Sequence, residues 1–177
     1  MIREAPRIET ERLILREFRA GDLDAHAAML GDPEIMRHIG GKPLNREDSW
    51  RRLLMGIGMW SLVGMGPWAV ERKSDRCMVG HCGFFQFHRE MTPLIPGEPE
   101  MGWIFDRWVH GQGIAFEACQ AALAWAECEI GADSYPAIID LDNAASMKLA
   151  DRLGFVRQDD AQYRGSTIAF YRRPRRS

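Results

Sequence analysis

From Ile8 to Phe18, apolar and charged residues alternate around Leu13 and Leu15, with Arg12 and Arg16 between them, which predicts one half-buried strand. Asp22 then stands where it can cap a short helix holding Leu23, Ala27 and Leu30. The triplet Asp32-Pro33-Glu34 predicts a second helix start, an N-cap followed by proline at the first helical position. Asn45 and Asp48 open a third, in which Leu53, Leu54, Ile57 and Trp60 recur at helical spacing. Gly56 and Gly58 weaken it by about 1 kcal/mol each.

Three β-type runs follow, Pro67 to Arg72, Met78 to His88 and Glu98 to Phe105, rich in Val, Phe and Trp and separated by turn residues, so they predict an antiparallel meander. Gly113 to Glu129 is the clearest helix, with Ala118, Ala121, Ala122, Trp125 and Ala126 on one face, and Tyr135 to Leu141 reads as the strand after it. That order predicts a β-α-β unit. A last helix runs from Asn143 to Leu153 and stops at Gly154, a residue suited to a left-handed C-terminal cap. Phe155 to Arg157 and Ser166 to Arg172 are the final strands. Strands and helices mixed in this order predict an α/β (α+β) sheet covered by helices rather than a bundle or a sandwich.

At 177 residues with no internal repeat or linker, the chain predicts a single domain spanning 1–177. Its 46% hydrophobic and 27% charged residues are the balance of a globular protein. A net charge of -2 argues against nucleic acid as a partner, and no apolar stretch reaches the roughly 18 to 20 residues of a membrane span. Met1 to Thr10 lacks an apolar secretory core, so the expected location is cytoplasmic. Cys77, Cys82, Cys119 and Cys128 fall in segments that read as strand or helix and are expected to be reduced core thiols. The arginine-rich end, Arg172 to Arg176, is expected to be solvated. Trp103, Trp108 and Trp125 are expected to be core or cofactor-flanking aromatics, since no basic stripe accompanies them.

The most informative stretch is His110-Gly111-Gln112-Gly113-Ile114-Ala115, between a strand and the strongest helix. A helix N-terminus offers unpaired N–H groups and partial positive charge, and two glycines let an anion approach the backbone, so the stretch reads as a phosphate cradle or as a tight turn. The lysine and Ser/Thr of a Walker loop are missing, and the third glycine of a dinucleotide fingerprint falls on Phe116.

Three blocks in order, Thr10-Glu11-Arg12-Leu13-Ile14-Leu15-Arg16 with Asp22 and Asp32-Pro33-Glu34 behind it, Glu100-Met101-Gly102-Trp103 leading into Gly111 to Ala115 and Glu117-Ala118, and Asn143-Ala144-Ala145-Ser146 with Leu153-Gly154-Phe155, resemble the GNAT superfamily of acetyl-CoA-dependent N-acetyltransferases. Within it the chain is similar to the branch of ribosomal-protein N-terminal acetyltransferases, and the similarity runs from Thr10 to about Tyr171. The resemblance implies the acyl-CoA N-acyltransferase fold, a mixed, mostly antiparallel sheet splayed at its middle strands and flanked by helices. It implies acetyl-CoA as acetyl donor, with its pyrophosphate on the amides of Gly111, Gln112, Gly113, Ile114 and Ala115 and its pantetheine arm on the backbone of Trp103 and Phe105. Asn143, a good N-cap by type, contacts the pantetheine in the family. His110 departs from the usual Gln, Arg or Trp and reads either as an added phosphate donor or as a loop histidine with no ligand.

Acetyl transfer to an amine needs the amine neutral and the thiolate able to leave. An α-amine with pKa of about 7.7 to 8.0 is partly neutral at pH 7, whereas a lysine costs about 4.6 kcal/mol to deprotonate there. The resemblance implies Glu100 as the base, working through water; a solvent-facing strand carboxylate is the other reading. Many relatives place a tyrosine beside the sulfur, but that position is Ala150 here, and the branch resembled implies Ser146 instead. A serine hydroxyl is a weak acid that can donate to developing thiolate charge, and with a thiol pKa of about 8.5 only about 2 kcal/mol of protonation free energy is left unclaimed at pH 7. Ser146 equally reads as a helical residue bonding its own preceding turn. No cysteine lies in either block, so direct transfer in a ternary complex is expected. The cluster Cys77, His81, Cys82 and His88 does not predict a metal site, because adjacent strand residues face opposite ways and Cys82 to His88 spans about 20 Å. The acceptor is a peptide N-terminus or small-molecule amine that no motif identifies, a homodimer stays open, and a silent acyl-CoA-binding module or regulatory protein on the same fold remains the alternative.

Overall fold

All four residues of Leu13–Arg16 are buried, and the chain turns just before them, so the single strand expected over 8–18 is a short hairpin: β1 (Ile8–Glu9) against β2 (Leu13–Arg16), with Ile8 opposite Leu15. Thr10 makes the turn. Its N–H donates to the Leu13 carbonyl at 3.0 Å, and its Oγ1 accepts from the Leu13 N–H at 3.0 Å. The computed structural model describes residues 4–175. Asp22 precedes helix α1 (Leu23–Leu30) without capping it. Its carboxylate instead forks the buried guanidinium of Arg16 at 2.7 and 2.8 Å, and Arg16 also reaches Glu71 at 2.7 Å. A charge taken this far from water is tolerable only when its donors are filled, which is why Asp22 is drawn inward.

The other two helix starts are as the sequence predicts. Asp32 accepts from the Glu34 N–H to start α2 (Pro33–Met36), and Asn45 accepts from the Asp48 N–H to start α3 (Arg46–Val63). Gly56 is where α3 meets the sheet, since a Cβ there would stand 2.9 Å from the Pro67 ring. The predicted meander forms as β3 (Pro67–Arg72), β4 (Met78–Phe85) and β6 (Glu100–Phe105), all antiparallel. Between β4 and β6 the chain detours through β5 (Met91–Thr92), which belongs to a second sheet.

Helix α4 (Ile114–Glu129), β7 (Ser134–Ile139) and α5 (Ala144–Arg152) follow, then β8 (Val156–Arg157), β9 (Ala161–Tyr163) and β10 (Ser166–Pro174). One sheet has the order β1-β2-β3-β4-β6 and the other β5-β9-β10-β7, with β8 also on β10. The β6-α4-β7 crossover brings the edge strands of the two sheets side by side, yet no ladder joins them. This is the expected splay. α4 covers the first sheet through Ala118, Cys119, Ala122 and Ala126, and Trp60, Trp68 and Trp125 meet edge to face with centroids 4.7 to 5.3 Å apart. A second core lies on the opposite face of that sheet, under α1 to α3, around Phe18, Leu30, Met36 and Leu53.

Two expectations about side chains fail, those for two of the cysteines and for the arginine-rich end. Cys82 and Cys119 are buried, but Cys77, in the turn before β4, and Cys128, on the outer face of α4, are exposed. Of the tryptophans expected in the core or beside the cofactor, Trp103 and Trp125 pack against the core, and Trp108 is 46% exposed, its ring covered on one side by the Arg72 guanidinium at 4.5 Å. The arginine-rich end is part of the sheet: Arg172 is paired with Glu98, and Arg173 is buried, donating to the Leu153 carbonyl at 2.8 Å and to Glu127 at 2.6 Å. Arg176 lies outside the described residues. No helix among the described residues is long and apolar enough to cross a membrane.

Candidate active site

Helix α4 starts differently from α2, α3 and α5. Its N-cap is Gly113, which has no side chain to accept from the first-turn N–H groups, whereas the other three carry Asp32, Asn45 and Asn143 in that role. Gly111 and Gly113 have φ of 75° and 76°, which turns the loop around Gln112, and a Cβ at Gly111 would meet nothing within 4 Å. The open donors, the positive end of a 16-residue helix and free approach from outside fit a diphosphate. The loop is fixed from behind. Arg12 donates to the Gln112 carbonyl at 2.9 Å and to Glu117 at 2.7 Å, and Glu117 also accepts from Thr10 and from the Arg12 N–H. His110 uses Nε2 on the Phe105 carbonyl at 3.0 Å, so one of the two backbone positions expected to meet the pantetheine arm already has a side-chain neighbour.

Across the splay, Asn143 caps α5 by accepting from the Ser146 N–H at 3.1 Å, which fixes Ser146 in the first turn. Trp103 Nε1 lies 3.3 Å from Ser146 Oγ, a bond running from β6 to α5. An indole nitrogen can only donate, so Ser146 accepts with its oxygen and keeps its own proton free for another acceptor. The turn at Gly154, with φ of 85°, sets Phe155 against Trp103, ring centroids 6.3 Å apart, so the indole is backed by packing. Asn143, Ser146 and Trp103 therefore form one connected group.

Glu100 does not join it. Met101, Trp103 and Phe105 side with the core under α4, while Ile104 sides with the core under α1 to α3; strand alternation puts Glu100 with Ile104. There its carboxylate, 4% exposed, accepts from Arg89 at 2.5 and 2.8 Å. Burial works against the charge of Arg89, and the bonds to Glu100 outweigh it, so this guanidinium titrates above its ordinary value. Glu100 is thus neither solvent-facing nor alone.

Two features escaped the sequence reading. Arg89 lies in the loop after β4, where nothing in the local pattern distinguishes it from a solvated arginine. His38 Nδ1 stands 3.1 Å from Asp140 Oδ1, and with Arg37 and Asp142 they line a cavity of about 300 Å³ beyond the end of β7. Arg107, just past β6, meets Asp32 at 3.5 Å. The segment from Asp32 to His38 is thereby pinned at one end near β6 and at the other near β7. Among the described residues no three His, Cys, Asp or Glu side chains are grouped as metal ligands; His81 and Cys82 do face opposite sides of β4.

The open amides at the start of α4 thus stand beside a cleft between two splayed strands, in a mixed sheet flanked by helices. The chain belongs to the acetyltransferase (GNAT) domain family, whose pattern it matches over residues 12–156, and it is an N-acetyltransferase. It is 26% identical to the N-acetyltransferase YnaD of Bacillus subtilis, itself uncharacterized, over 85% of this chain and 83% of that one. Its fold superposes on that of a GNAT-family acetyltransferase from Bordetella pertussis with a TM-score of 0.82, 28% identity and coverage of 96% and 99% of the two chains. RimL, the ribosomal L7/L12 alpha-N-protein acetyltransferase, solved in complex with coenzyme A, shares the fold at a TM-score of 0.76 and 15% identity, over 96% of this chain and 98% of that one.

Proposed function

We propose that the enzyme transfers an acetyl group directly from acetyl-CoA to a primary amine, with the thiol leaving on the Ser146 side of β6 and the amine arriving on the Glu100 side. The observation that carries this reading is the Trp103–Ser146 bond. By occupying the serine oxygen it frees the hydroxyl proton to point at a departing sulfur, and a preorganised donor of this kind acts only as charge develops. The cofactor supplies the activated acetyl group. The amides from Gly111 to Ala115 hold its diphosphate, Trp103 and Phe105 offer backbone along the arm, His110 stands beside the loop, and Asn143 keeps Ser146 in place. Glu100 takes the amine proton through water: Arg89 fills one lone pair on each oxygen, and an ionised carboxylate has further sites to accept from. An α-amine, already partly neutral at pH 7, asks least of this base. The amine nitrogen bonds to the acetyl carbon, the carbon–sulfur bond breaks, and the proton released from nitrogen ends on Glu100 or solvent.

The test is acetyl-CoA-dependent thiol release by the purified chain against peptide N-termini, amino acids, polyamines and aminoglycosides, with intact-mass measurement of the protein after acetyl-CoA alone. Thiol release with at least one amine and no acetylated enzyme is expected. A stable acetyl-enzyme would overturn direct transfer.

A further inference from the structure

The described part of the chain satisfies its half-buried guanidinium groups with one exception. Arg16 has Asp22 and Glu71, Arg89 has Glu100, Arg172 has Glu98, and Arg173 has Glu127. Arg52 is partly buried on α3, one residue before the fully buried Leu53 and one turn after the fully buried Ser49, and no carboxylate, carbonyl or ring face of the described residues meets it. Its charged neighbour is Arg89, of the same sign; burial first, and then that repulsion, lower its pKa from the ordinary arginine value. A cation held in this way costs free energy unless an anion joins it.

The floor beneath repeats the pattern. His26 on α1 and His81 on β4 are 2% and 8% exposed, their ring centroids 5.4 Å apart, and the Nδ1 atom of each is buried with no hydrogen-bond partner. Both imidazoles feel the charge of Arg52. Phe85 and Phe87 stack at 4.8 Å, and Arg89 lies over Phe87 and Tyr163 at 4.5 and 4.8 Å, forming an aromatic wall. His81 pairs with Ile104 and Phe85 with Glu100, so both lie with Glu100 on the face of the first sheet that carries α1 and α3, the face assigned above to the incoming amine, while Tyr163 reaches Arg89 from β9 of the second sheet.

We propose that Arg52, together with the unfilled imidazole nitrogens of His26 and His81, receives an anionic group borne by the amine acceptor, so that the enzyme prefers amines carrying a carboxylate or phosphate to neutral or polycationic ones. The proposal rests on the reading that amines are acetylated from this face. Arg89 is already neutralised by Glu100, so among the half-buried guanidinium groups of the described residues Arg52 supplies the uncompensated positive charge, and Glu100 supplies the site for the ammonium proton. A zwitterion matches that pair. Hydrogen bonds to a charged partner contribute about 1.5 to 3 kcal/mol, which sets a preference of about 10- to 100-fold.

The experiment compares acceptors in matched pairs differing only in the anion: amino acids against their α-amides, acidic against amidated dipeptides, and phosphoethanolamine against ethanolamine. In the wild type the anionic member should show kcat/KM about 10- to 100-fold higher, with the carboxylate and phosphate pairs separating the two sources of charge. In Arg52→Gln the ratio should fall to near one, whichever way absolute rates move, and Arg52→Lys should retain most of it. Calorimetric titration with inorganic phosphate of protein saturated with coenzyme A, whose diphosphate occupies the Gly111 to Ala115 amides, gives a second readout, with binding to the wild type and none to Arg52→Gln. Thiol release with no preference for the anionic member, or a preference that survives Arg52→Gln, overturns the anion site. Phosphate binding that depends on Arg52 without thiol release from any amine upholds the anion site and overturns the assignment of acetyl transfer to this face.

Discussion

On one face of β6, Trp103 reaches Ser146 through a single neutral hydrogen bond of 3.3 Å, whereas on the other Glu100 is held by Arg89 through two charge-assisted bonds of 2.5 and 2.8 Å. Neutral bonds contribute about 1 kcal/mol net and bonds to charged groups about 1.5 to 3 kcal/mol. The first arrangement is weak enough to follow a change of charge at a sulfur. The second keeps a carboxylate in one orientation while an acceptor enters. One strand thus carries an adjustable donor and a fixed acceptor, separated by nothing more than the alternation of its side chains.

The largest effect should come from the adjustable side. Ser146→Ala should lower turnover by about 10- to 1000-fold, bounded above by the loss of one oxyanion-type donor, with the KM for acetyl-CoA nearly unchanged. Steady-state kinetics at saturating acceptor checks this, and an unaltered turnover would remove the serine from the chemistry.

On the fixed side, burial holds the pKa of His26 down to about 4. The unfolded chain takes up that proton below about 6.5 while the folded one resists it until about 4. Stability from this group is therefore complete above pH 6.5 and is lost as pH falls towards 4, by about 3 kcal/mol. His81, also depressed by burial, adds to the loss. Urea midpoints measured from pH 7 to pH 4 should fall steeply in the wild type and less steeply in His26→Phe; parallel curves would refute the assignment.

Glu100→Gln should slow transfer by about 100-fold at low pH, within the range for general base catalysis, and recover as pH approaches the amine pKa. A loss equal at every pH would make the Arg89–Glu100 pair a positioning device instead. Smallest is Trp103→Phe, expected to cost about tenfold in turnover in the wild type but less than about twofold in a Ser146→Ala background, because the indole acts through the serine. Equal losses in both backgrounds would assign Trp103 a packing role against Phe155.

Much of this was legible in the chain because local rules sufficed. The glycines around Gln112, the apolar stripe of α4, the caps Asp32, Asn45 and Asn143, and the stop at Gly154 are decided within a few residues, and each stands where the pattern puts it. What stayed hidden depended on distant partners. Asp22 has the residue type and position of a cap, yet Arg16 competes for it from the interior. Strands β5 and β9 are two and three residues long, too short for a period to register. Arg89 finds Glu100, and Arg172 finds Glu98, across loops whose course is set by the second sheet. Arg52 is the extreme case, since its meaning lies in a partner that no residue of the described chain provides.

The placement of the four cysteines has a practical consequence for any assay that detects released coenzyme A with a thiol reagent. Cys77 and Cys128 are exposed and should react at once, giving a fixed background of two equivalents per chain that must be titrated before turnover is counted. Cys82 and Cys119 are buried, and burial raises the Cys119 thiol well above its ordinary pKa, so they should stay silent while the fold is intact. The same reagent then serves as a clock for the opening of the core, in which the two late equivalents appear only at the rate at which α4 leaves the sheet.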